Sequence, residues 1–386
     1  VLASCTSGDH KAQKDAKPAP SAPPPAPLTL AVGPAAASAN VPVSAEITTR
    51  VTGGYVTTVT LVDSTGKAVP GSFRPDGSSW VPAVPLDFSR GYTATVTAVG
   101  AAGRTKSATT TFTTMANPGS SRIGTGLYLQ PGETYGVGMP VVVEFDEAIP
   151  DQYKAAVERR LFVESTPAQV GVWHWYGDRQ VLYRPKDYWQ PGTVLTVRAA
   201  LGGLPVGNRY VDVDRGATVT IGTNQTMLVD NKTKTLYFYR DGALVKSFPV
   251  SLGKASTPTS SGNFVVMSRE YTTRFKTSEY DILAYYGERF TWGGQFLHAA
   301  PWSVSQQGED NVSHGCVNLS MSAAAWIYNN SHIGDPVTVQ GTEVHLTPGD
   351  GWTVWDMSWA DYVKGSALPH PELASTTGAP QAKSGN

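Results

Sequence analysis

The sequence predicts a mainly all-β chain, built as β-sandwich modules in series with one or two short helices near the C-terminal end. Three observations carry this. The 386 residues exceed one small domain and suit two or three. Only 16% are charged, while 39 glycines and 28 prolines supply turns. Short Val/Thr-rich runs recur along most of the chain with no helical period. The formal charge is −1, from 30 basic and 31 acidic residues, so no global field favours nucleic acid. No segment approaches the roughly 18 apolar residues of a membrane helix.

Residues 1–27 are a polar, Pro/Ala-rich tether that cannot build a core. Residues 28–115 alternate Val, Thr and Leu around turns such as STGK, the pattern of an immunoglobulin-like sandwich. The cysteine pair of antibody domains is missing, so only the architecture is read. Residues 116–222 form a second such module, with strands in MPVVVEFDEAI, RRLFVEST, GVWHWYGDRQVLYRP, TVLTVRAAL and GATVTIG. Trp173 and Trp175 share one face of a strand and are expected in the core, with a carbohydrate-stacking surface as the alternative.

The character changes again in 223–345. Three β-runs in QTMLVDNKTKTLYFYRDGALVKSFPVSLG are followed by GNFVVMSRE. The stretch YTTRFKTSEYDILAYYGERFTWGG shows no clear period and is expected to be a large excursion or lid. QFLHAAPW returns to strand, MSAAAWIYNNSH is a helix capped by Ser320 or Ser322, and GDPVTVQG is a last strand. Residues 346–368 are an aromatic subdomain whose Trp352, Trp355, Trp359 and Tyr362 need a surface to pack on. Residues 369–386 are Pro/Ser/Gly-rich and expected to be disordered.

The chain has two cysteines, Cys5 and Cys316. Leu2-Ala3-Ser4-Cys5 resembles a bacterial lipobox, which implies a lipid on Cys5 and attachment to the outer face of the plasma membrane. A lipidated Cys5 cannot bridge to Cys316, leaving a free thiol in an oxidising compartment, where free thiols are unusual. From spacing alone, Cys316 of NVSHGCVNLS is a buried filler, a zinc ligand with His298 and His314, a disulfide half or a nucleophile. A nucleophilic thiol needs a base or a positive neighbourhood. Cys316 lies just ahead of the helix, whose N-terminus is expected to favour a thiolate, and the backbone N–H groups of Gly315 and Cys316 are candidates for an oxyanion hole. Of the seven histidines, His298 and His314 are near in sequence, and spacing does not rank them as base.

HAAPWSVSQQGEDNVSHGCVNLS, residues 298–320, resembles the signature of the YkuD-like L,D-transpeptidase catalytic domain: a histidine, a spacer, then SHGCxN, here Ser313, His314, Gly315, Cys316 and Asn318. With its N-terminal modules the chain is similar to actinobacterial members, over roughly 28–365. The resemblance implies Cys316 as the thioester-forming nucleophile, His298 as the base, His314 as a pocket-shaping histidine and Asn318 as a supporting residue. The family position after the base is often serine; Ala299 keeps the backbone carbonyl that orients the imidazole. Thr257 and Pro258 match the segment before the lid, and Tyr280 matches a donor-pocket tyrosine. Tyr286, or Tyr285, answers to the oxyanion tyrosine in a lid shorter than the family's. Trp302 is grouped with the substrate-binding residues and expected to pack beneath the loop.

Implied partners are peptidoglycan stem peptides, as tetrapeptide donor and acceptor, and carbapenems as acylating inhibitors. A monomer is expected, with no cofactor or metal. An L,D-carboxypeptidase using the same thioester and a non-catalytic wall-binding scaffold are the rival readings.

Overall fold

The structure, a computed structural model, describes residues 26–74, 77–276 and 281–369. Cys5, Tyr280 and most of the predicted tether and tail lie outside them. The chain is mostly β-strand and divides into two compact units, with the main changeover at Thr113/Thr114.

The first unit is a sandwich. One sheet joins Thr29–Gly33, Ile47–Thr52, Ser79–Pro82 and Gly71–Phe73. The other contains Gly54–Asp63 between Ala68–Val69 and Gly91–Gly100, with Thr105–Thr114 beyond. Along Gly91–Gly100 every second residue from Tyr92 to Ala98 is buried, the period-two signature of a half-buried strand.

The second unit holds another sandwich and the domain that carries SHGC. The sandwich pairs Thr125–Leu127, Val141–Phe145, Gln180–Pro185 and Gly171–Tyr176 in one sheet, and Thr134–Tyr135, Arg215–Ile221, Val194–Ala199 and Leu161–Thr166 in the other. Trp173 and Trp175 are both buried, Trp175 stacking on Phe145 and Trp173 against Tyr183, which makes them core aromatics. A short helix, Asp151–Glu158, interrupts the strands. The all-β reading of this module passed over it.

The SHGC domain has two sheets around one core. The six-stranded sheet runs Ala243–Pro249, Thr235–Arg240, Gln225–Asp230, Pro336–Gln340, Ser260–Val265, Val344–His345. The four-stranded sheet runs Ser268–Lys276, Asp281–Arg289, Phe296–Ala299, Val317–Leu319, the last two parallel. Phe238, Phe264, Val337, Leu297, Val317 and Ile327 are among the side chains filling the space between. The helix Met321–Asn330 closes it, with Ser320 as cap: its hydroxyl accepts from the Ala323 N–H at 3.2 Å.

The stretch read as an irregular excursion is a long antiparallel hairpin, Ser268–Lys276 with Asp281–Arg289. Its first strand lacks apolar alternation because neither face is fully buried. The C-terminal aromatics pack on the second sandwich. Trp352, Val354, Tyr362 and Val363 join its core, the Tyr362 hydroxyl donates to Leu182 O at 2.7 Å and the Trp355 indole to Gly138 O at 2.7 Å. The Arg184 guanidinium lies over Trp355, Trp359 and Tyr362.

Candidate active site

The parallel pairing of Phe296–Ala299 with Val317–Leu319 places His298 opposite Asn318. Alternate residues of a strand share a face, and parallel partners point the same way. Cys316, one residue before that strand, is thereby brought to the same cavity as His298. Cys316, His298 and Asn318 line one cavity of about 1020 Å³, with Ser313, His314, Trp302 and Phe275. The hairpin supplies a further wall through Glu270, Arg274, Lys276 and Arg289.

The loop before Cys316 is held by its own serine. Ser313 Oγ accepts from the Gly315 N–H at 3.1 Å and donates to Cys316 O at 2.6 Å. Gly315 has φ +116°, a conformation that L side chains rarely adopt. On the other side, residues 251–254 anchor the loop: the Ser251 N–H donates to Asn318 O at 3.1 Å and the Lys254 N–H to Ser313 O at 2.9 Å. Thr257 Oγ1 also donates to Ser313 O, at 3.2 Å. Asn318 is buried, and its amide donates to Ser303 Oγ at 3.0 Å.

His298 is 4% exposed. Its Nδ1 lies 2.9 Å from Ala299 O, so Nδ1–H donates to that carbonyl and Nε2 is the acceptor. The ring sits between Phe275, at 5.1 Å, and Trp302, at 6.1 Å. Burial among these rings pushes its pKa down to about 4. Burial likewise pushes the Cys316 thiol up to about 11, while a backbone hydrogen bond from Phe296 opposes it. Sγ lies 3.7 Å from Gly294 O, to which the resting thiol donates. The pair is thus a neutral imidazole and a neutral thiol at neutral pH.

Four expectations require correction. The helix N-terminus does not reach the thiol: Val317–Leu319 lies between them as strand, carrying the chain about 10 Å at ~3.3 Å per residue, and Ser320 takes up the helix cap. The Gly315 N–H, expected to face an oxyanion, is donated to Ser313 Oγ. Trp302 does not pack beneath the loop; it is 51% exposed at the cavity. Tyr285 and Tyr286 are not brought to this cavity. Their rings cluster with Tyr271, and Tyr286 also meets Tyr328 of the helix. Tyr280 lies outside the described residues.

Sequence reasoning passed over Phe275, Ser303 and Lys254. Phe275 sits in YTTRFK, where the spacing Tyr271, Thr273, Phe275 was the available sign of a strand face. Lys254 follows Gly253 in SLGK, where nothing in sequence links it to SHGC.

Residues 224–339 match the model of the L,D-transpeptidase catalytic domain, and residues 38–205 that of a bacterial Ig domain. The chain is 34% identical to L,D-transpeptidase 2 of Mycobacterium tuberculosis over 341 residues, 85% of this chain and 82% of that protein. It is 34% identical to L,D-transpeptidase 5 of the same species over 384 residues, 96% and 82% of the two chains. A solved structure of an L,D-transpeptidase in complex with imipenem is 32% identical, covering 56% of this chain and 97% of that one, with a TM-score of 0.47. The chain belongs to the L,D-transpeptidase family, with an Ig-like region ahead of a YkuD catalytic domain.

Proposed function

We propose that this chain forms 3→3 peptidoglycan cross-links through a thioester on Cys316. The observation that carries the reading is the shared cavity: the imidazole lines it from a strand and the thiol from the turn that leads into the neighbouring strand, and the imidazole is held with Nε2 as its acceptor. The thiol proton passes to His298 Nε2 as sulfur attacks the carbonyl of the third residue, a diamino acid, of a tetrapeptide stem. The C–S bond forms, the C–N bond to the terminal D-Ala breaks, and His298 returns the proton to the leaving amine. The side-chain amine of a second stem then attacks the thioester. It gives a proton to His298, which restores the thiol as the C–S bond breaks.

Desolvation explains why the resting pair is uncharged and why proton transfer accompanies attack instead of preceding it. Among the described residues the Cys316 N–H is the backbone donor left for the oxyanion from the expected pair. Carbapenems, whose strained amide carries the same electrophilic carbonyl, are proposed to acylate the same sulfur. Cys5, outside the described residues, is proposed to carry a lipid that holds the enzyme on the outer face of the plasma membrane.

The test is product analysis by mass spectrometry after incubation with a disaccharide-tetrapeptide, with Cys316→Ala alongside. A cross-linked dimer that has lost one D-Ala, absent with the variant, is the expected result. Tripeptide alone would replace the transferase by a carboxypeptidase. No D-Ala release would overturn both.

A further inference from the structure

Among the described residues, four cationic side chains line the Cys316 cavity, and three of them are occupied. Arg274 makes a two-pronged contact with Asp281, at 2.6 Å through both Nε and Nη2. Lys276 shares that carboxylate at 3.8 Å. Arg289 donates to the carbonyls of Thr291 and Trp292 and lies over the Trp292 and Phe296 rings. Lys254 differs. Its Nζ lies 3.1 Å from His314 Nε2, and among the described residues no carboxylate is within ion-pair distance of it. An ammonium has three N–H donors, so the imidazole leaves two for a ligand.

The position of Lys254 is fixed by backbone. Its N–H donates to Ser313 O, and Gly253 bridges Ser313, so residues 253–254 are tied to the loop bearing Cys316. A side chain at Gly253 would strike Thr257 O, which holds this approach to a glycine. His314, which Lys254 touches, is two residues from Cys316, within about 7 Å along the chain. The ammonium and the thiol line the same cavity, into which the scissile carbonyl must enter.

We propose that Lys254 is the specificity residue that reads the free carboxylate of the terminal residue leaving the donor stem. This rests on the acyl-transfer reading above. In that reaction the broken amide belongs to the last residue of the stem, so its α-carboxylate lies three bonds from the attacked carbon. Selecting a chain end over an internal amide requires a group that binds the carboxylate better than the peptide bond that would replace it. A cation with no carboxylate partner among the described residues, held at the nucleophile's loop, meets that requirement. The Lys254–His314 contact orients the ammonium, with the imidazole as acceptor. Lys254 does not exchange a proton with the reacting atoms.

The experiment compares two tetrapeptide donors, one with a terminal D-Ala carboxylate and one with the D-Ala carboxamide. Release of D-Ala or its amide is followed by mass spectrometry for the wild type, Lys254→Gln and Lys254→Arg. The wild type is expected to favour the carboxylate donor by about 10- to 100-fold in kcat/KM, the range of a hydrogen bond to a charged group. Lys254→Gln is expected to lose that preference while still turning over the carboxamide, and Lys254→Arg to keep most of it. Turnover of the carboxamide by Lys254→Gln also reports an intact fold. Should Lys254→Gln show no turnover of either donor, the lost ratio is read from Lys254→Met, with Lys254→Arg as the charge-retaining control. A wild-type ratio in Lys254→Gln or Lys254→Met, or a wild type indifferent to the carboxylate, overturns this inference and leaves the transpeptidase reading standing. Release from neither donor by the wild type overturns both.

Discussion

Two pairs of desolvated ionisable side chains in the second unit behave differently. At the cavity, His298 and Cys316 are desolvated and face open space. Near the C-terminal end of the helix Met321–Asn330, Glu288 and Asp335 are desolvated and closed in. Ser331 Oγ donates to Glu288, and Arg269 pairs with it at 3.5 Å. Asp335 accepts from the His332 N–H at 2.8 Å and from Gln225 at 3.1 Å. Its carboxyl is pushed up to about 8, mainly by burial. Each group has a displaced pKa, so displacement alone does not mark chemistry. What separates them is access: the cavity pair has room for a reacting atom, and the closed pair is sealed in, with one oxygen of each carboxyl held by protein groups and the other buried without a hydrogen-bond partner.

The contrast is sharpest for substitutions at the cavity. Cys316→Ala is expected to abolish cross-linking, a loss of about 10⁴-fold or more, as for other nucleophile deletions, in a chain that still folds. Loss of folding, measured by circular dichroism, would move Cys316 to the structural side of the comparison. His298→Gln is expected to lower kcat/KM by about 10²- to 10⁴-fold, the range of a general base. Because His298 is held down to about 4, the acid limb of the wild-type rate is expected near that value and not at the ordinary 6.5. An acid limb at 6.5 would place the imidazole in water.

Gly315→Ala is expected to cost about 1–3 kcal/mol through the strained φ, with activity falling as the Ser313–Cys316 turn shifts. Its thermal midpoint and its rate of thiol alkylation would both move.

At the closed pair the readout is stability, not rate. The folded state keeps Asp335 protonated up to about pH 8, whereas the unfolded chain releases that proton near 3.8. The native state therefore binds more protons between those values, and stability falls as pH rises through that window. Asp335→Asn is expected to flatten this slope and to exceed the wild type in denaturant midpoint at pH 8–9, with kcat little changed. An unchanged slope would mean that Asp335 titrates normally. The smallest effect is Ser320→Ala, about 1 kcal/mol from the lost helix cap, checked by denaturant titration.

Much of this was legible in the sequence, and the gaps have physical causes. The strand periodicity of the sandwiches, the Ser320 cap and the SHGC turn are local patterns. The hairpin of 268–289 was hidden because a strand that lines a cavity buries neither face completely, which removes the apolar alternation. The thiol's surroundings were misread because three residues of strand separate it from the helix. Lys254 lies 60 residues from His314, and only the pairing of 251–254 with the motif loop brings them together. The aromatic C-terminal stretch announced that it would pack, but not that Leu182 and Gly138 of the second sandwich would receive it.

The central claim is that Cys316 carries the acyl group. The most direct measurement is intact-protein and peptide mass spectrometry of the enzyme quenched in acid during turnover of a tetrapeptide donor. The account predicts an adduct equal to the donor minus D-Ala, located on the peptide containing Cys316 and removed by hydroxylamine. Turnover with no adduct there, or an adduct on another residue that persists in Cys316→Ala, would contradict it.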